Sequence, residues 1–286
     1  MQQKLKIAIQ KSGRLSEDSR QLLEECGIQI KNGKNKLIAP AVNFPLDILY
    51  LRDDDIPQYV EDGTADIGIV GENVVYEESK EAKVVWSLGF GKCRLSLAIP
   101  KSETFTDITY FQDKKIATSY PQILGDYLQK KGVTADIHKI SGSVEIAPGI
   151  GLADAIADLV SSGSTLFSNG LKEVEVILKS EAVLIANRKL ESTKQQILDK
   201  LLFRIKAVQK ANKNKYILLN APNDALEIIK TILPGMKSPT IMPLAEAGWS
   251  SVHSVIAEDE FWEVIDRLRE AGGQGILVIP IEKMIL

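Results

Sequence analysis

Residues 48–73 read ILYLRDDDIPQYVEDGTADIGIVGEN, and this stretch indicates the fold class. The apolar run at 48–52 predicts a strand, and Pro57 in the first turn of the next segment predicts that a helix begins there. A second apolar run at 65–70 predicts another strand, which ends at Gly71. Units of this kind predict an α/β protein with parallel sheets, whose ligands usually lie beyond the carboxyl ends of the strands.

The same alternation continues along the first two thirds of the chain. Further strands are predicted at 5–9, 94–99, 115–118, 135–140, 174–178 and 182–186, and helices at 16–25, 123–131, 154–162 and 192–214. The returning strands predict two lobes, as in periplasmic binding proteins. A cleft between such lobes is a favoured ligand site. Lobe I is predicted over 1–93 and 179–212, and lobe II over 94–178.

A separate C-terminal domain is predicted over 213–286, after the polar stretch at 210–215. Its pattern is β-α-β-β-α-β, the ferredoxin-like arrangement. The strands are predicted at 216–220, 238–243, 252–257 and 275–280, and the helices at 224–233 and 258–271.

The composition excludes several classes of protein. The 286 residues carry a net charge of −3, so no bulk charge draws the chain to nucleic acid or to a membrane. Two cysteines form no disulfide framework and fit a reducing compartment. The sequence shows neither a signal peptide nor an apolar run of membrane-spanning length. We therefore expect a cytoplasmic protein.

Residues 145–166, EIAPGIGLADAIADLVSSGSTL, carry the most specific chemistry. On the predicted helix, Asp154 and Asp158 are four residues apart and share one face. The hydroxyl-rich turn at 161–165 has small residues that let backbone N–H groups approach an anion. Carboxylates beside such a turn suit a phosphorylated sugar and favour a sugar-phosphate or nucleotide enzyme. A solvated helix face and a helix C-terminal cap are the alternative interpretations.

Other polar residues follow predicted strands. The loop at 11–14 can bring basic residues to a phosphate, or it can be an ordinary surface loop. Glu72 can accept hydrogen bonds from a base or sugar, or cap a helix. Cys93 lies beside Arg94 but has no histidine nearby in sequence, which disfavours a nucleophilic role. No P-loop or dinucleotide-binding fingerprint is present.

Taken together, these blocks resemble a known enzyme family. The segment at 145–166, with QKSGRL at 10–15, the block at 51–74 and LGFGKCRLSLAIP at 88–100, closely resembles ATP phosphoribosyltransferase. SPTIMPLA at 238–245 and ILVIPIEKM at 276–284 resemble the regulatory domain of the long form of that enzyme. The resemblance covers nearly the whole chain.

The resemblance implies transfer of phosphoribosyl from 5-phosphoribosyl-1-pyrophosphate (PRPP) to N1 of ATP, with Mg²⁺ held mainly by the pyrophosphate. No separate set of metal ligands is predicted. The residues implied to bind PRPP are Glu145, Asp154, Asp158, Ser161, Ser162, Gly163, Ser164 and Thr165. Those implied on the ATP side are Lys11, Gly13, Arg14, Asp66, Glu72, Cys93 and Arg94. The residues implied to support the reaction are Asp154, Asp158, Arg14 and Arg52.

For the tail, the resemblance implies feedback inhibition by histidine, dimers and hexamers of this chain, and no separate regulatory subunit. Asn220 and Thr240 are the candidates for contacts to the amino acid, although Thr240 can simply belong to an edge strand shaped by prolines. Two other classes stay open: a ligand-binding protein of the periplasmic type and a non-catalytic amino-acid sensor. The missing signal peptide and the intact phosphate turn count against them.

Overall fold

The computed structural model describes residues 3–31, 37–78, 82–233 and 235–285, which form two compact units, Met1–Asp199 and Lys200–Leu286. The elements up to the unit boundary, which lies inside α6, are β1 Leu5–Gln10, α1 Arg14–Glu25, β2 Ile38–Pro40, β3 Leu46–Leu51, α2 Ile56–Glu61, β4 Ile67–Gly71, α3 Glu72–Glu78, β5 Lys83–Ser87, β6 Cys93–Pro100, β7 Lys115–Thr118, α4 Pro121–Lys131, β8 Asp136–Lys139, β9 Ala155–Val160, α5 Ser164–Ser168, β10 Leu171–Ser180, β11 Ala182–Ala186 and α6 Ser192–Asn212. The second unit continues with β12 Asn214–Pro222, α7 Leu226–Ile232, β13 Thr240–Pro243, β14 Trp249–Ala257, α8 Phe261–Glu270 and β15 Gln274–Pro280.

Lobe I is built on a six-stranded sheet in the order β2-β3-β1-β4-β11-β5. Strands β3, β1 and β4 are parallel, so their carboxyl ends lie at one edge. Helix α2 packs closely on β4 because Gly68 has no side chain: a Cβ there would lie 2.6 Å from Ile56 Cγ2. The parallel strands place the loops that follow them side by side.

Lobe II is built on a five-stranded sheet in the order β10-β6-β9-β7-β8. Strand β7 is parallel to β8 and β9, while β6 is antiparallel to β9 and β10. Apolar clusters cover both faces, with Phe111 and Leu124 on one and Val144 and Leu166 on the other. The start of β6 therefore lies beside the carboxyl end of β9.

The chain passes between the two sheets twice, through residues 88–92 and through Glu181, which we call the crossing segments. Beside the second crossing, the hydroxyl of Ser180 accepts a hydrogen bond from Asn73 N at 3.0 Å and donates one to Asn73 Oδ1 at 2.8 Å. This arrangement confirms the predicted two-lobed α/β fold.

The helix predicted at 154–162 is wrong, because residues Ala155–Val160 form strand β9. This strand lies between β6 and β7 and is largely buried, so pairing on both sides outweighs the helix propensity of its alanines and leucine. The spacing of Asp154 and Asp158 did not reveal this, since residues four apart share a face in a strand as well as in a helix. A smaller correction concerns α1, which begins at Arg14 and leaves Ser16 buried within the helix.

The second unit confirms the predicted ferredoxin-like arrangement. Its sheet has the order β13-β14-β12-β15 with every neighbouring pair antiparallel. One face packs on α7 and α8 through buried residues such as Leu219, Ile229 and Leu268. Among the described helices of the chain, none is both long and apolar enough to cross a membrane.

Candidate functional site

The candidate site lies where the carboxyl ends of parallel strands from both lobes meet the crossing segments. In lobe I, the backbone N–H of Lys11 donates to the carbonyl of Leu51 at 2.8 Å, which joins the loop after β1 to the loop after β3. In lobe II, strand β9 runs into the turn at 161–165. The Asp53 and Asp158 carboxylates both act electrostatically on Tyr120, which places the loop at 52–55 and the end of β9 in the same region.

A cavity of about 500 Å³ opens beside the crossing segments. It brings together four residues implied by the resemblance, Glu72, Cys93, Arg94 and Ser161. The same cavity is lined by residues that sequence reasoning did not identify: Lys92, Lys179, Ser180 and Glu181. These four residues flank predicted strands, so their position at the crossings was the available signal.

The turn at 161–165 joins strand β9 to the short helix α5, and it is not the cap of a preceding helix. Gly163 has φ +83°, a left-handed conformation that costs glycine little. The Ser162 and Ser164 hydroxyls lie 3.0 Å apart and share a hydrogen bond. Except for the half-buried Gly163, the residues of this turn are exposed. The turn thus presents hydroxyls and backbone N–H groups in the manner expected of an anion site.

The carboxylates that the structure groups are Asp158 and Glu145. Asp158 lies in β9, and Glu145 lies in the 3-10 turn Val144–Ile146, which contacts that strand. Burial raises the pKa of Asp158, a hydrogen bond from the backbone N–H of Leu159 at 2.8 Å partly opposes this, and the Glu145 carboxylate raises the pKa further. Glu145 is thus near enough to Asp158 to act on it electrostatically, and Asp158 lies three residues before the turn.

Asp154 lies at the opposite end of the strand from this group. It precedes β9, and its Oδ2 accepts a hydrogen bond from Lys115 N at 2.8 Å. At about 3.3 Å per strand residue, four residues separate it from Asp158 by about 13 Å. Asp154 lines a different cavity of about 370 Å³ with Tyr110 and Lys114. The structure therefore does not bring Asp154 to the ribose position that the resemblance implies.

Arg94 lies in the site, but its guanidinium binds protein atoms. Its Nε and Nη2 donate to the two carboxylate oxygens of Glu173 at 2.5 Å each, and its Nη1 donates to the carbonyl of Ser161 at 3.1 Å. The neighbouring Cys93 is half-buried, and burial raises the pKa of its thiol, partly opposed by a hydrogen bond with Ser180. A raised thiol pKa agrees with the sequence argument against a nucleophile here.

Asp66 is placed away from these loops. It precedes β4, at the amino ends of the lobe I strands, and it is buried. Its carboxylate accepts a hydrogen bond from Lys6 N at 2.7 Å and pairs with Lys194 Nζ at 2.7 Å. The structure gives Asp66 a role in holding α6 to the sheet and does not bring it to the ATP side.

Three cations of lobe I that the resemblance implied are free to meet a ligand. Lys11, Arg14 and Arg52 are exposed, and no residue in the described part of the chain forms an ion pair or hydrogen bond with their side chains. Gly13 precedes Arg14 with φ +91° and ψ 177°, a conformation open almost only to glycine. The glycine in QKSGRL is therefore required by the backbone that begins α1.

Sequence reasoning missed Tyr120, which precedes α4 at the carboxyl end of β7. Burial raises its pKa most, and the carboxylates of Asp53 and Asp158 raise it further. Those two acids come from different lobes, so the phenol lies between the lobes. The position of Tyr120 between the predicted strand at 115–118 and the following helix was the signal that pointed to it.

No group of three His, Cys, Asp or Glu side chains within residues 3–31, 37–78, 82–233 and 235–285 is arranged to hold a metal ion. Asp158 and Glu145 supply oxygen atoms of the kind that Mg²⁺ accepts alongside substrate phosphates. The oxygen atoms of these two carboxylates thus fit one side of a bound Mg²⁺ ion.

In the second unit, Asn220 and Thr240 lie on the sheet face opposite the helices. Asn220 pairs with Ser251 and Thr240 pairs with His253, and these partners lie on one face of β14 because they are two residues apart. His253 shares hydrogen bonds with Tyr216 Oη at 2.8 Å and with Ser251 Oγ at 3.0 Å. The structure therefore gathers both candidates into one polar row.

Comparison with known proteins accounts for this combination of elements. A sequence model described as ATP phosphoribosyltransferase matches residues 52–207, more than half of the chain. The chain belongs to the ATP phosphoribosyltransferase family. A second model, described as the HisG C-terminal domain, matches residues 211–283. The resemblance found in the sequence, including the long form, is thereby confirmed.

Individual ATP phosphoribosyltransferases are similar over almost the entire chain. The protein of that name from Cytophaga hutchinsonii is 60% identical over 281 residues, which cover 98% of each chain. Its namesake from Azobacteroides pseudotrichonymphae is 60% identical over 282 residues, 99% of this chain and 100% of the relative. This chain is thus an enzyme of the pentosyltransferase class, from the family that carries out the first step of histidine biosynthesis.

A solved structure supports the same family fold. A chain of the ATP phosphoribosyl transferase (HisG:HisZ) complex from Thermotoga maritima aligns with a TM-score of 0.62 and 29% identity. The alignment covers 71% of this chain and 96% of the Thermotoga chain. The protein described here therefore carries an additional segment beyond that shared fold.

Proposed function

We propose that this ATP phosphoribosyltransferase transfers phosphoribosyl from PRPP to N1 of ATP, releasing pyrophosphate and forming N1-(5-phosphoribosyl)-ATP. The observation that carries the proposal is the turn at 161–165, which follows β9 with Asp158 three residues before it. A strand, an acid and an anion-binding turn in this order suit a phosphorylated ribose. The turn takes the 5-phosphate, and Asp158 with Glu145 takes the ribose hydroxyls.

The reaction needs no nucleophile from the protein, because the adenine nitrogen attacks the ribose carbon directly. The protein holds two polyanions in line and stabilises the positive charge that develops on the ribose. Lys11, Arg14 and Arg52 offset the phosphate charge, while Asp158 and Glu145 place negative charge beside the sugar. Cys93 and the two histidines have no chemical role in this mechanism.

Mg²⁺ belongs to the proposal as a metal carried by the pyrophosphate. When bound, it supplies positive charge to the leaving group. Within the described chain, Asp158 and Glu145 are the carboxylates beside the proposed sugar position, and they fit one side of such an ion. Their other function, orienting the ribose, does not depend on the metal.

The second unit is proposed to bind histidine as a feedback inhibitor on the row that contains Asn220 and Thr240. The side-chain amide of Asn220 and the hydroxyl of Thr240 suit the carboxylate and ammonium groups of an amino acid, because both can donate and accept hydrogen bonds. Because the chain carries this unit itself, we propose that it acts as a homo-oligomer, dimer or hexamer, without a separate regulatory subunit. We also propose that it works in the cytoplasm, without membrane or nucleic-acid partners.

A single assay tests the proposal. The protein is mixed with ATP, PRPP and Mg²⁺, and phosphoribosyl-ATP is followed with and without histidine and with Mg²⁺ removed. Product formation that requires Mg²⁺ and falls with histidine supports each part, whereas histidine binding without product supports a sensor. Binding of a small ligand with neither property supports a ligand-binding protein.

Two variants locate the binding sites. Asp158→Asn impairs PRPP use more than ATP use, while Asp136→Asn, which changes an exposed acid elsewhere in lobe II, leaves both unchanged. Asn220→Ala with Thr240→Val raises the histidine concentration needed for inhibition without changing the uninhibited rate. An unchanged histidine response in that double variant places the effector elsewhere.

A further inference from the structure

We propose that Glu173 is a positioning residue for PRPP: acting through Arg94, it fixes the orientation of the turn at 161–165. This inference rests on the proposed function, in which that turn binds the 5-phosphate. Neither Glu173 nor any residue of β10 was implied as part of the site by the sequence.

The guanidinium of Arg94 is held in one orientation by Glu173. Arg94 presents its Nε and Nη2 to the two oxygens of Glu173, each at 2.5 Å, so one edge of a rigid planar group is held at two points. The third nitrogen, Nη1, then has a fixed direction, and it donates to the carbonyl of Ser161 at 3.1 Å. The position of the carboxylate therefore determines where Nη1 points.

Glu173 is itself held in place by a buried side chain of β6. Ser96 is fully buried and its hydroxyl donates to Glu173 Oε1 at 2.8 Å. Strands β10, β6 and β9 are neighbours in the sheet. The contacts thus run from Glu173 on the edge strand, across Arg94 and Ser96, to the residue that follows β9.

The consequence for the turn follows from the peptide plane. The chain has no cis peptide among its described residues, so the Ser161 carbonyl and the Ser162 N–H point in opposite directions. Holding the carbonyl on Arg94 turns an oxygen away from an incoming phosphate and fixes the N–H of Ser162. A free carbonyl at that place repels the phosphate.

Electrostatics separate this role from direct binding of a substrate. Hydrogen bonding from the Arg94 guanidinium holds the pKa of Glu173 below its ordinary range. Burial partly opposes this effect, and the Ser96 hydroxyl adds to it. The two side chains therefore form an ion pair with no net charge. Each nitrogen of Arg94 already donates to a protein oxygen. We therefore propose that the guanidinium orients the turn, a role beyond the ATP contact that the resemblance implied.

The test compares Glu173→Gln with Glu175→Gln. Glu175 lies on the same strand, but its carboxylate accepts a hydrogen bond from Tyr127 Oη at 2.6 Å and not from Arg94, which makes it a matched control. Glu173→Gln is expected to raise the KM for PRPP roughly tenfold, as for loss of one charged hydrogen bond, while kcat and the KM for ATP change less than about twofold. Glu175→Gln is expected to leave all three unchanged.

Further variants distinguish orientation from charge. Arg94→Lys keeps the positive charge but loses the planar group, so it is expected to reproduce the PRPP defect, and combining it with Glu173→Gln is expected to add little. A KM for PRPP in Arg94→Lys that equals that of the unaltered protein overturns the proposal. Ser96→Ala, which removes a single hydrogen bond to Glu173, is expected to shift the same KM in the same direction by less.

Amide hydrogen exchange gives a readout that does not depend on turnover. Faster exchange of residues 161–165 in Glu173→Gln, with unchanged exchange in Glu175→Gln, supports the positioning role. Unchanged exchange and an unchanged PRPP KM overturn it. Failure of the unaltered protein to form phosphoribosyl-ATP overturns the proposed function instead, so the two failures are distinct.

Discussion

Glu77 of helix α3 in lobe I caps helix α4 of lobe II, where its carboxylate accepts a hydrogen bond from Gln122 N at 3.0 Å. The second carboxylate oxygen accepts one from Ile123 N, also at 3.0 Å. The first N–H groups of a helix have no partner within the helix, and here a side chain from the other lobe supplies one. The contact ties the lobes together beside Tyr120.

Replacing this capping side chain is predicted to cost stability. Glu77→Ala is expected to lower the free energy of unfolding by about 1 kcal/mol, because two helix N–H groups lose their acceptor. Glu77→Gln keeps one acceptor oxygen, so its free energy of unfolding is expected to lie between those of Glu77→Ala and the unaltered protein. Urea unfolding measures the difference, with Glu78→Ala as the control on the same helix. Equal losses for Glu77→Ala and Glu78→Ala contradict the capping role.

Asp66 is predicted to matter for folding and not for binding ATP. Asp66→Ala leaves the backbone N–H of Lys6 without its acceptor and removes the partner of Lys194, so the free energy of unfolding is expected to fall by about 2 kcal/mol. The KM for ATP is expected to stay the same at a temperature where the variant is folded. A raised KM for ATP with unchanged stability supports the contact that the resemblance implied.

Asp158 is predicted to be costly to stability and necessary for PRPP use. Because its pKa is raised in the folded protein, mainly by burial, its contribution to stability is fully present below the unfolded pKa and is lost as the pH rises through the folded pKa. Asp158→Asn is therefore expected to raise the melting temperature at pH 7, with a difference that shrinks as the pH is lowered. PRPP use is expected to fall roughly 10- to 100-fold, as for the loss of charged hydrogen bonds.

The same measurement on Asp136→Asn provides the comparison, since that acid is exposed on strand β8 of the same sheet. A melting temperature of Asp158→Asn that is lower at pH 7 than that of the unaltered protein contradicts the burial cost. Equal losses of PRPP and ATP use contradict the ribose role.

Arg14 and Arg52 are predicted to act through charge at an exposed site. Arg14→Ala or Arg52→Ala is expected to raise substrate KM values about tenfold or more with the fold intact, because a phosphate loses a charged hydrogen bond. The difference in KM between each variant and the unaltered protein is expected to decrease with added salt, since exposed charges are screened. Lys130→Ala, an exposed cation on α4, is the control. If the KM values of an arginine variant equal those of Lys130→Ala, that arginine does not belong to the site.

Much of the fold could be predicted from local pattern. Strand β7 lies at Lys115–Thr118 as predicted, and β11 lies at Ala182–Ala186 as predicted, because short apolar runs bounded by polar residues specify strands well. Strand β9 could not be predicted in this way. Its alanines, isoleucine and leucine suit a buried strand and a helix equally, and only its neighbours β6 and β7 decide between them.

Sequence by itself determined the family, the two lobes with their C-terminal domain, and the strand-ending loops at which we propose that a phosphorylated ligand binds. These properties depend on local spacing and on residue types within short blocks. Tertiary structure alone decided which acids and cations meet. The extended conformation of β9 separates Asp154 from Asp158, and the 3-10 turn that contacts β9 brings Glu145 near Asp158. The pairing of β6 with β10 joins Arg94 to Glu173, 79 residues further along the chain. Such contacts depend on the order of strands in a sheet, which no short stretch of sequence contains.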